Sequence, residues 1–284
     1  MSADPMPRQR LRAAISEGGP VLAPLTLDPL TARLCQSLGF GAGYLSGGAL
    51  GYQYAVSEAL LTITELADAC RRMTTRSDLA IIVDGGVGFG DPVHVQRAMW
   101  EFEAAGAAAV ELEDQVAPKR VSHHRGVEHL VPPEEMVAKI RAAVEARRDP
   151  DFLIIARTGA VRHEGFEAAI GRMRAYRDAG ADVLMLFPST EEEWAVAPGL
   201  LDAPLAAMVA ADTKLPPGWP LVIDPFTGQV LAYQAVRDAY TRLVREGTSG
   251  HTLKALMAVY RELPGMAGLE ELYELERRTT EPGS

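Results

Sequence analysis

A chain of 284 residues can hold one large α/β barrel or two average domains, and it is too long to be a disulfide-stapled miniprotein. With 48% hydrophobic and 23% charged residues it has the balance of a folded globular protein, not of a disordered or collagen-like one. Acidic residues outnumber basic ones 38 to 28, and the formal charge of -10 opposes binding to nucleic acid or to anionic lipid, so neither is an expected partner.

The cysteines, Cys35 and Cys70, stand in no CxxC or Cys/His spacing, which argues against a disulfide framework and a zinc site and points to a reducing compartment. The stretch from Met1 to Arg12 lacks the apolar run of a signal peptide, and no apolar run reaches the ~18 residues of a membrane span, so a cytoplasmic location is expected.

Short β-rich runs alternate with helical patterns along the chain. The predicted strands are Val21 to Leu25, Ala42 to Leu45, Ala80 to Asp84, Ala108 to Glu113, Phe152 to Ala156, Val183 to Phe187, Leu205 to Val209 and Leu221 to Asp224. Amphipathic stretches separate them, among them Pro29 to Leu38, Val93 to Ala105, Pro133 to Arg147 and Phe166 to Ala179. Gly39, Gly106 and Gly180 each stand where such a helix hands over to a strand. Eight strand-helix units in one chain predict an α/β fold, a (β/α)8 TIM barrel over 1–284, with a doubly wound open sheet as the alternative. From about residue 244 to 284 the chain continues as extra helix, whose apolar stripe through Leu253, Leu256, Met257, Tyr260, Leu269, Leu272 and Leu275 needs a partner surface, on its own barrel or on another subunit.

A barrel of this kind carries its chemistry at the carboxyl ends of the strands. Asp84 ends the third predicted strand and Glu113 the fourth, so two hard oxygen ligands suited to Mg2+ or Mn2+ meet at one mouth. The alternative is that these acids cap helices or pair with Lys119, Arg120 or Arg157. Gly85 to Gly90 reads as a tight turn that lets backbone approach a ligand; the P-loop lysine is absent. The connection from Asp114 to Val131 is long for a compact domain and holds His123 and His124, which marks it as a candidate lid or else a solvated basic loop. Arg157 can grip a carboxylate in bidentate fashion. Tyr44-Leu45-Ser46-Gly47-Gly48 offers a hydroxyl and backbone N-H groups to an anion, or is simply a turn. The ligand implied is a small, multiply charged carboxylate or phosphonate.

Tyr44 to Gly48, Asp84 with Gly88-Phe89-Gly90, Val110-Glu111-Leu112-Glu113-Asp114-Gln115 with Pro118-Lys119-Arg120, and Ile154-Ile155-Ala156-Arg157-Thr158 together resemble the isocitrate lyase and phosphoenolpyruvate mutase superfamily, in order over roughly Leu22 to Leu263. The resemblance implies a TIM barrel, Mg2+, a 2-oxo or 2-hydroxy acid ligand, an enolate stabilised by the cation, and a homo-oligomer, dimer or more usually tetramer, that exchanges a C-terminal helix. It places Asp84 as direct metal ligand, Glu113 and Glu58 as outer acids, and Ser46, Gly47 and Gly48 on the substrate carboxylate, with Tyr44 beside them and Arg157 facing the substrate. Lys119, His123 and Arg157 are then the candidate catalytic residues.

The chain also departs from that pattern. Glu58 stands where Asp is usual, and Asp84-Gly85-Gly86-Val87-Gly88 replaces Asp-Ala-Asp-Thr-Gly. Lys119-Arg120-Val121-Ser122-His123 lacks the cysteine of the isocitrate-type lyases, and Arg157-Thr158-Gly159 replaces Arg-Thr-Asp. Ser189 and Ala207 fall where a Glu and an Asn are usual, and with Trp219 and Val121 placed near the mouth a less polar substrate tail is expected. Three functions follow: a carbon-carbon lyase for a small 2-hydroxy or 2-oxo dicarboxylate, with His123, His124 or water replacing the thiol; a phosphonate mutase, hydrolase or oxaloacetate decarboxylase-like enzyme; or a non-catalytic binding protein.

Overall fold

A computed structural model describes residues 5–126, 128–210 and 213–281. The chain forms two compact units, the first ending at Thr227 and the second beginning at Gly228.

In the first unit eight parallel strands lie in the hydrogen-bonded order β1-β8-β7-β6-β5-β4-β3-β2, with β1 Val21–Pro24, β2 Ala42–Leu45, β3 Ala80–Asp84, β4 Ala109–Glu113, β5 Leu153–Arg157, β6 Val183–Met185, β7 Leu205–Met208 and β8 Leu221–Asp224. The seam between β1 and β2 is closed by a parallel bridge between Leu25 and Tyr44, with the Thr26 N-H donating to the Tyr44 carbonyl at 2.9 Å. The predicted barrel is therefore present and nearly closed, and the open-sheet alternative is not the fold.

Local chemistry explains the element boundaries. Asp28 and Asp91 cap the helices Pro29–Ser37 and Pro92–Ala104, each followed by a proline whose fixed φ suits the first helical turn. Gly39, Gly106 and Gly180 take positive φ where helices end, as expected.

Side-chain alternation along the strands divides the core in two. Ala42, Tyr44, Ala80, Ile82, Ala109, Leu153, Ile155, Val183, Met185, Ala206, Leu221 and Ile223 fill the barrel, joined by Leu11 and Ile15 of the helix Pro7–Ser16, whose i, i+4 spacing puts both on one face. Arg8 and Arg12 tether that helix, through Asp149 at 3.0 Å and Asp182 at 3.0 Å, to the segments that precede β5 and β6. The opposite strand faces pack against the surrounding helices in a second cluster.

That parity corrects two expectations. Ala206 points inward, so Ala207 faces the helices and not the mouth. Trp219 precedes β8 and donates its indole N-H to the Trp194 carbonyl at 3.1 Å in the outer layer, at the barrel end remote from the carboxyl ends of the strands.

The second unit contains the helices Leu253–Tyr260, Leu263–Met266 and Leu269–Thr279, preceded by the helix Thr227–Glu246. Leu253, Leu256, Tyr260, Leu272 and Leu275 are exposed. Among the described residues no helix is long and apolar enough to cross a membrane.

Gly43 lies where β2 meets Thr26: an added Cβ would sit 2.5 Å from Thr26 Oγ1 and 2.8 Å from Leu79 Cδ2. Overpacking of this kind costs about 1–3 kcal/mol, so Gly43→Val is expected to lower the melting temperature by roughly 2 °C or more, measured by calorimetry; an unchanged value contradicts the seam as drawn.

Candidate active site

The period-2 alternation of strands aims a polar set into the mouth. Asp84 on β3, Glu111 and Glu113 on β4, and Arg157 on β5 share the inward parity of Tyr44 and Ile82. Glu111 is fully buried: its Oε1 accepts from Arg157 at 2.7 Å and its Oε2 from the Tyr44 hydroxyl at 2.9 Å. It was not among the residues singled out by sequence, although its i, i+2 relation to Glu113 places both acids on one face.

The connection after β4 leaves and returns through an antiparallel stem. Val116 N-H donates to the His129 carbonyl and Val131 N-H to the Asp114 carbonyl, both at 2.8 Å. Its far part winds into a 3-10 turn, Val121–Arg125, and Val127 lies outside the described residues. This arrangement brings Lys119 and His123 over the barrel. The Lys119 ammonium is held between Glu58 Oε1 and Glu113 Oε1, the latter at 2.5 Å. Three carboxylates, on Glu113, Glu58 and Asp84, raise its pKa well above the usual lysine value against the opposing effect of burial. Arg157 NH2 reaches Glu113 Oε2 at 3.3 Å, so of the expected ion pairs those of Glu113 with Lys119 and Arg157 form, while among the described residues none joins Asp84 or Glu113 to Arg120.

His123 has a decisive geometry. Its Nδ1 lies 2.7 Å from the Arg120 carbonyl and its Nε2 3.2 Å from Glu58 Oε2. Both neighbours are acceptors, an arrangement that favours the doubly protonated ring. Partial burial works against the charged ring, but these hydrogen bonds outweigh it and raise the pKa above the ordinary histidine value. Burial would also raise the Glu58 pKa; His123 and Lys119 instead bring it down to about 2. The adjacent His124 contacts the Tyr52 hydroxyl at 3.1 Å and Ser57 Oγ at 2.9 Å, and burial followed by the charge of His123 lowers its pKa.

Asp84 accepts from Gly47 N-H at 3.1 Å and from Gly86 N-H at 3.0 Å. The Gly47 N-H, expected to face a substrate carboxylate, thus serves Asp84, and Ser46 caps the helix Gly47–Gln53. Gly47 also has no room for a side chain, since a Cβ would lie 2.9 Å from Glu58 Cγ; Gly48 adjoins the same carboxylate. Burial, followed by the charges of Glu58 and Glu111, pushes the Asp84 pKa up to about 7.

The surrounding charges add to that burial: Glu58 and Glu111 raise the Asp84 pKa, and Lys119 and Arg157 offset them in part. Glu113 Oε1 is buried and receives no hydrogen bond, its contact with Lys119 lacking hydrogen-bond geometry. A cavity of about 190 Å3 borders Glu58, Asp84 and Lys119, with Leu61, Leu66, Val87 and Phe89 as its apolar wall. A water takes about 30 Å3 in the liquid, so a hydrated divalent ion has room there. Among the described residues no three His, Cys, Asp or Glu side chains converge at ligand spacing. The buried Glu113 Oε1 without a hydrogen bond, beside the carboxylates of Glu58 and Asp84, is an oxygen donor set of the kind that would suit Mg2+, an ion that keeps much of its water.

Neither thiol belongs to this site. Both cysteines are buried in the layer between barrel and helices, and burial raises the Cys35 pKa and pushes that of Cys70 up to about 12. Val121 is exposed on the loop and Ser189 is exposed beyond β6. The apolar residues that do face inward at the mouth are Phe187, whose ring lies 5.3 Å from the Arg157 guanidinium carbon, and Met208.

The phosphoenolpyruvate phosphomutase family pattern matches residues 11–250. The chain belongs to the isocitrate lyase and phosphoenolpyruvate mutase superfamily. It is 33% identical over 283 residues to 2,3-dimethylmalate lyase of Eubacterium barkeri, covering 94% of this chain and 96% of that protein. Oxaloacetate acetylhydrolase in complex with 3,3-difluorooxalacetate superposes with a TM-score of 0.86 at 28% identity, over 98% of each chain. Phosphonopyruvate hydrolase in complex with oxalate and Mg2+ superposes with a TM-score of 0.84 at 29% identity, over 97% of this chain and 100% of that one. Membership carries with it a lyase- or mutase-type reaction, at a carbon-carbon bond or by phosphoryl transfer, and a general link to Mg2+.

The raised Asp84 pKa has a definite sign in solution. The folded state binds this proton more tightly than the unfolded chain, whose Asp titrates near 3.8, so Asp84 contributes full stability below that value and loses it as pH rises through about 7. Without divalent ions the melting temperature should fall between pH 5.5 and 8.5, and Asp84→Asn should raise it by roughly 4 °C at pH 8.5 while abolishing stabilisation by Mg2+. Thermal scans with and without Mg2+ decide the matter; a variant still stabilised by Mg2+ contradicts the assignment.

Proposed function

We propose that the chain is a Mg2+-dependent carbon-carbon lyase acting on a small 2-hydroxy or 2-oxo dicarboxylate through an enolate, with His123 as proton donor. The observation that carries this reading is the placement of the His123 ring, with Nδ1 fixed on the Arg120 carbonyl at 2.7 Å and Nε2 on the longer 3.2 Å contact with Glu58 Oε2, which it would exchange for the substrate in giving up its proton. A lyase must protonate the carbon left with the electron pair of the broken bond, and a positioned acid contributes typically 10²–10⁴-fold.

A Mg2+ ion at Asp84 would supply fixed positive charge beside the substrate's 2-oxygen, favouring the alkoxide left when a 2-hydroxyl gives its proton to solvent, or the enolate oxygen when a 2-oxo acid is cleaved. The chain's own groups do the rest. Arg157, paired on one edge with Glu111 and Glu113, keeps its guanidinium plane fixed toward a substrate carboxylate. Tyr44 stays protonated, since burial and then the charges of Asp84 and Glu111 hold its pKa well above the phenol value, and it orients Glu111. Lys119 neutralises Glu58 and Glu113, so that Glu58 steers His123 without stripping its proton. Phe187 and Met208 suit an alkyl substituent on the acid, which revises the source of the less polar tail expected from Ala207 and Trp219. The likeness to 2,3-dimethylmalate lyase supports the same substrate class. The exposed apolar residues of the second unit suit burial against another copy, and we propose a homo-oligomer.

The test is release of a 2-oxo acid from a panel of alkyl-substituted 2-hydroxy dicarboxylates with Mg2+. His123→Ala should lower kcat about 100-fold or more, whereas His123→Ala with near-normal turnover of oxaloacetate or phosphonopyruvate supports the decarboxylase or mutase alternative instead. Ligand-induced stabilisation without turnover of any of these compounds leaves the binding-protein reading.

A further inference from the structure

The loop that carries His123 is held from a second side. Gly159, directly after the Thr158 that follows β5, leaves a gap that a side chain would fill: a Cβ there would lie 1.9 Å from Glu128 Oε2 and 2.9 Å from Glu128 Cδ. Its backbone, φ -89 and ψ 6, is open to any residue, so conformational strain is not what favours glycine here. Glu128 belongs to the returning limb of the loop, and its Oε2 lies 3.3 Å from His163 Nε2, in the short helix Ala160–Glu164. That helix is itself fixed: Arg172 grips Glu164 at 2.6 and 2.7 Å and also donates to Asp114 Oδ2 and to the Val131 carbonyl, the two ends of the loop.

We infer that Gly159 is a socket for the Glu128 carboxylate, and that this docking positions the His123 loop over the mouth. Glu128 and Gly159 are positioning residues, which act on the proposed reaction only through His123. The near limb is held by His123 on Glu58 and by His124 beside Tyr52 and Ser57. The stem is held by its own ladder. Arg172 holds the end of the returning limb at Val131, and the Glu128 carboxylate beside His163 holds it further out, in space that a side chain at residue 159 would contest.

Hydrogen-deuterium exchange on the full chain tests this without reference to turnover. Glu128→Ala removes the plug, and Gly159→Ala blocks the socket. Each should speed exchange in residues 120–126 on the order of ten-fold while leaving the barrel strands unchanged. The double variant should exchange no faster than Glu128→Ala, because the added methyl then has nothing to displace. Additive effects, unchanged exchange in Glu128→Ala, or acceleration spread over the whole barrel would each overturn the inference. A kinetic arm rests on the proposed function: with an active substrate, both single variants should lower kcat with a smaller change in KM. Absence of any turnover counts against the proposed lyase, while the exchange pattern still decides the socket.

Discussion

An ammonium fixed between two carboxylates joins parts of the chain that are otherwise far apart in sequence. Lys119, on the loop after β4, meets Glu58 from the turn after the helix Gly47–Gln53 and Glu113 from the end of β4 itself. Breaking a buried pair by removing one partner costs about 3–5 kcal/mol, since the other charge is left uncompensated. The same contact sets the state of its neighbours. With Glu58 kept ionised, the His123 pKa is raised; burial, with Glu58 and Glu111 nearby, raises that of Asp84.

A site arranged in this way stores its chemistry as an imbalance. The carboxylates are not passive, because three of the four, Glu58, Glu111 and Glu113, are already engaged by Lys119 and Arg157. Glu58 and Glu111 tune the fourth, Asp84. In the proposed reading a divalent ion beside Asp84 would take the place of a proton, favoured by the same negative neighbours that make Asp84 a poor acid.

Much of this was legible in the sequence, and the failures are instructive. The eight strands follow from alternation of apolar runs with helical stripes, with errors confined to ends such as Phe187, which lies beyond β6, and Arg157, which belongs to β5. Asp84, Glu113 and Arg157 could be placed at the mouth because each closes a strand. Glu111 needed parity, not position: in Val110-Glu111-Leu112-Glu113 every second residue faces inward, so one acid implies the other. Neglect of the same rule put Ala207 on the wrong face. The role of Glu128 had no local signal, since it depends on an empty volume at Gly159, thirty-one positions away and on another element. The N-terminal helix that plugs the barrel through Leu11 and Ile15 carried a short i, i+4 signal that composition alone hides.

The proposed exchange of a proton for a metal ion at Asp84 is open to direct measurement by calorimetric titration of the protein with Mn2+ and oxalate, repeated in buffers of different ionisation enthalpy. With the Asp84 carboxyl titrating near 7, binding at pH 6 should release about one proton, and binding at pH 8.5 almost none. Binding that releases no proton at either pH, or that persists unchanged in Asp84→Asn, would contradict the account.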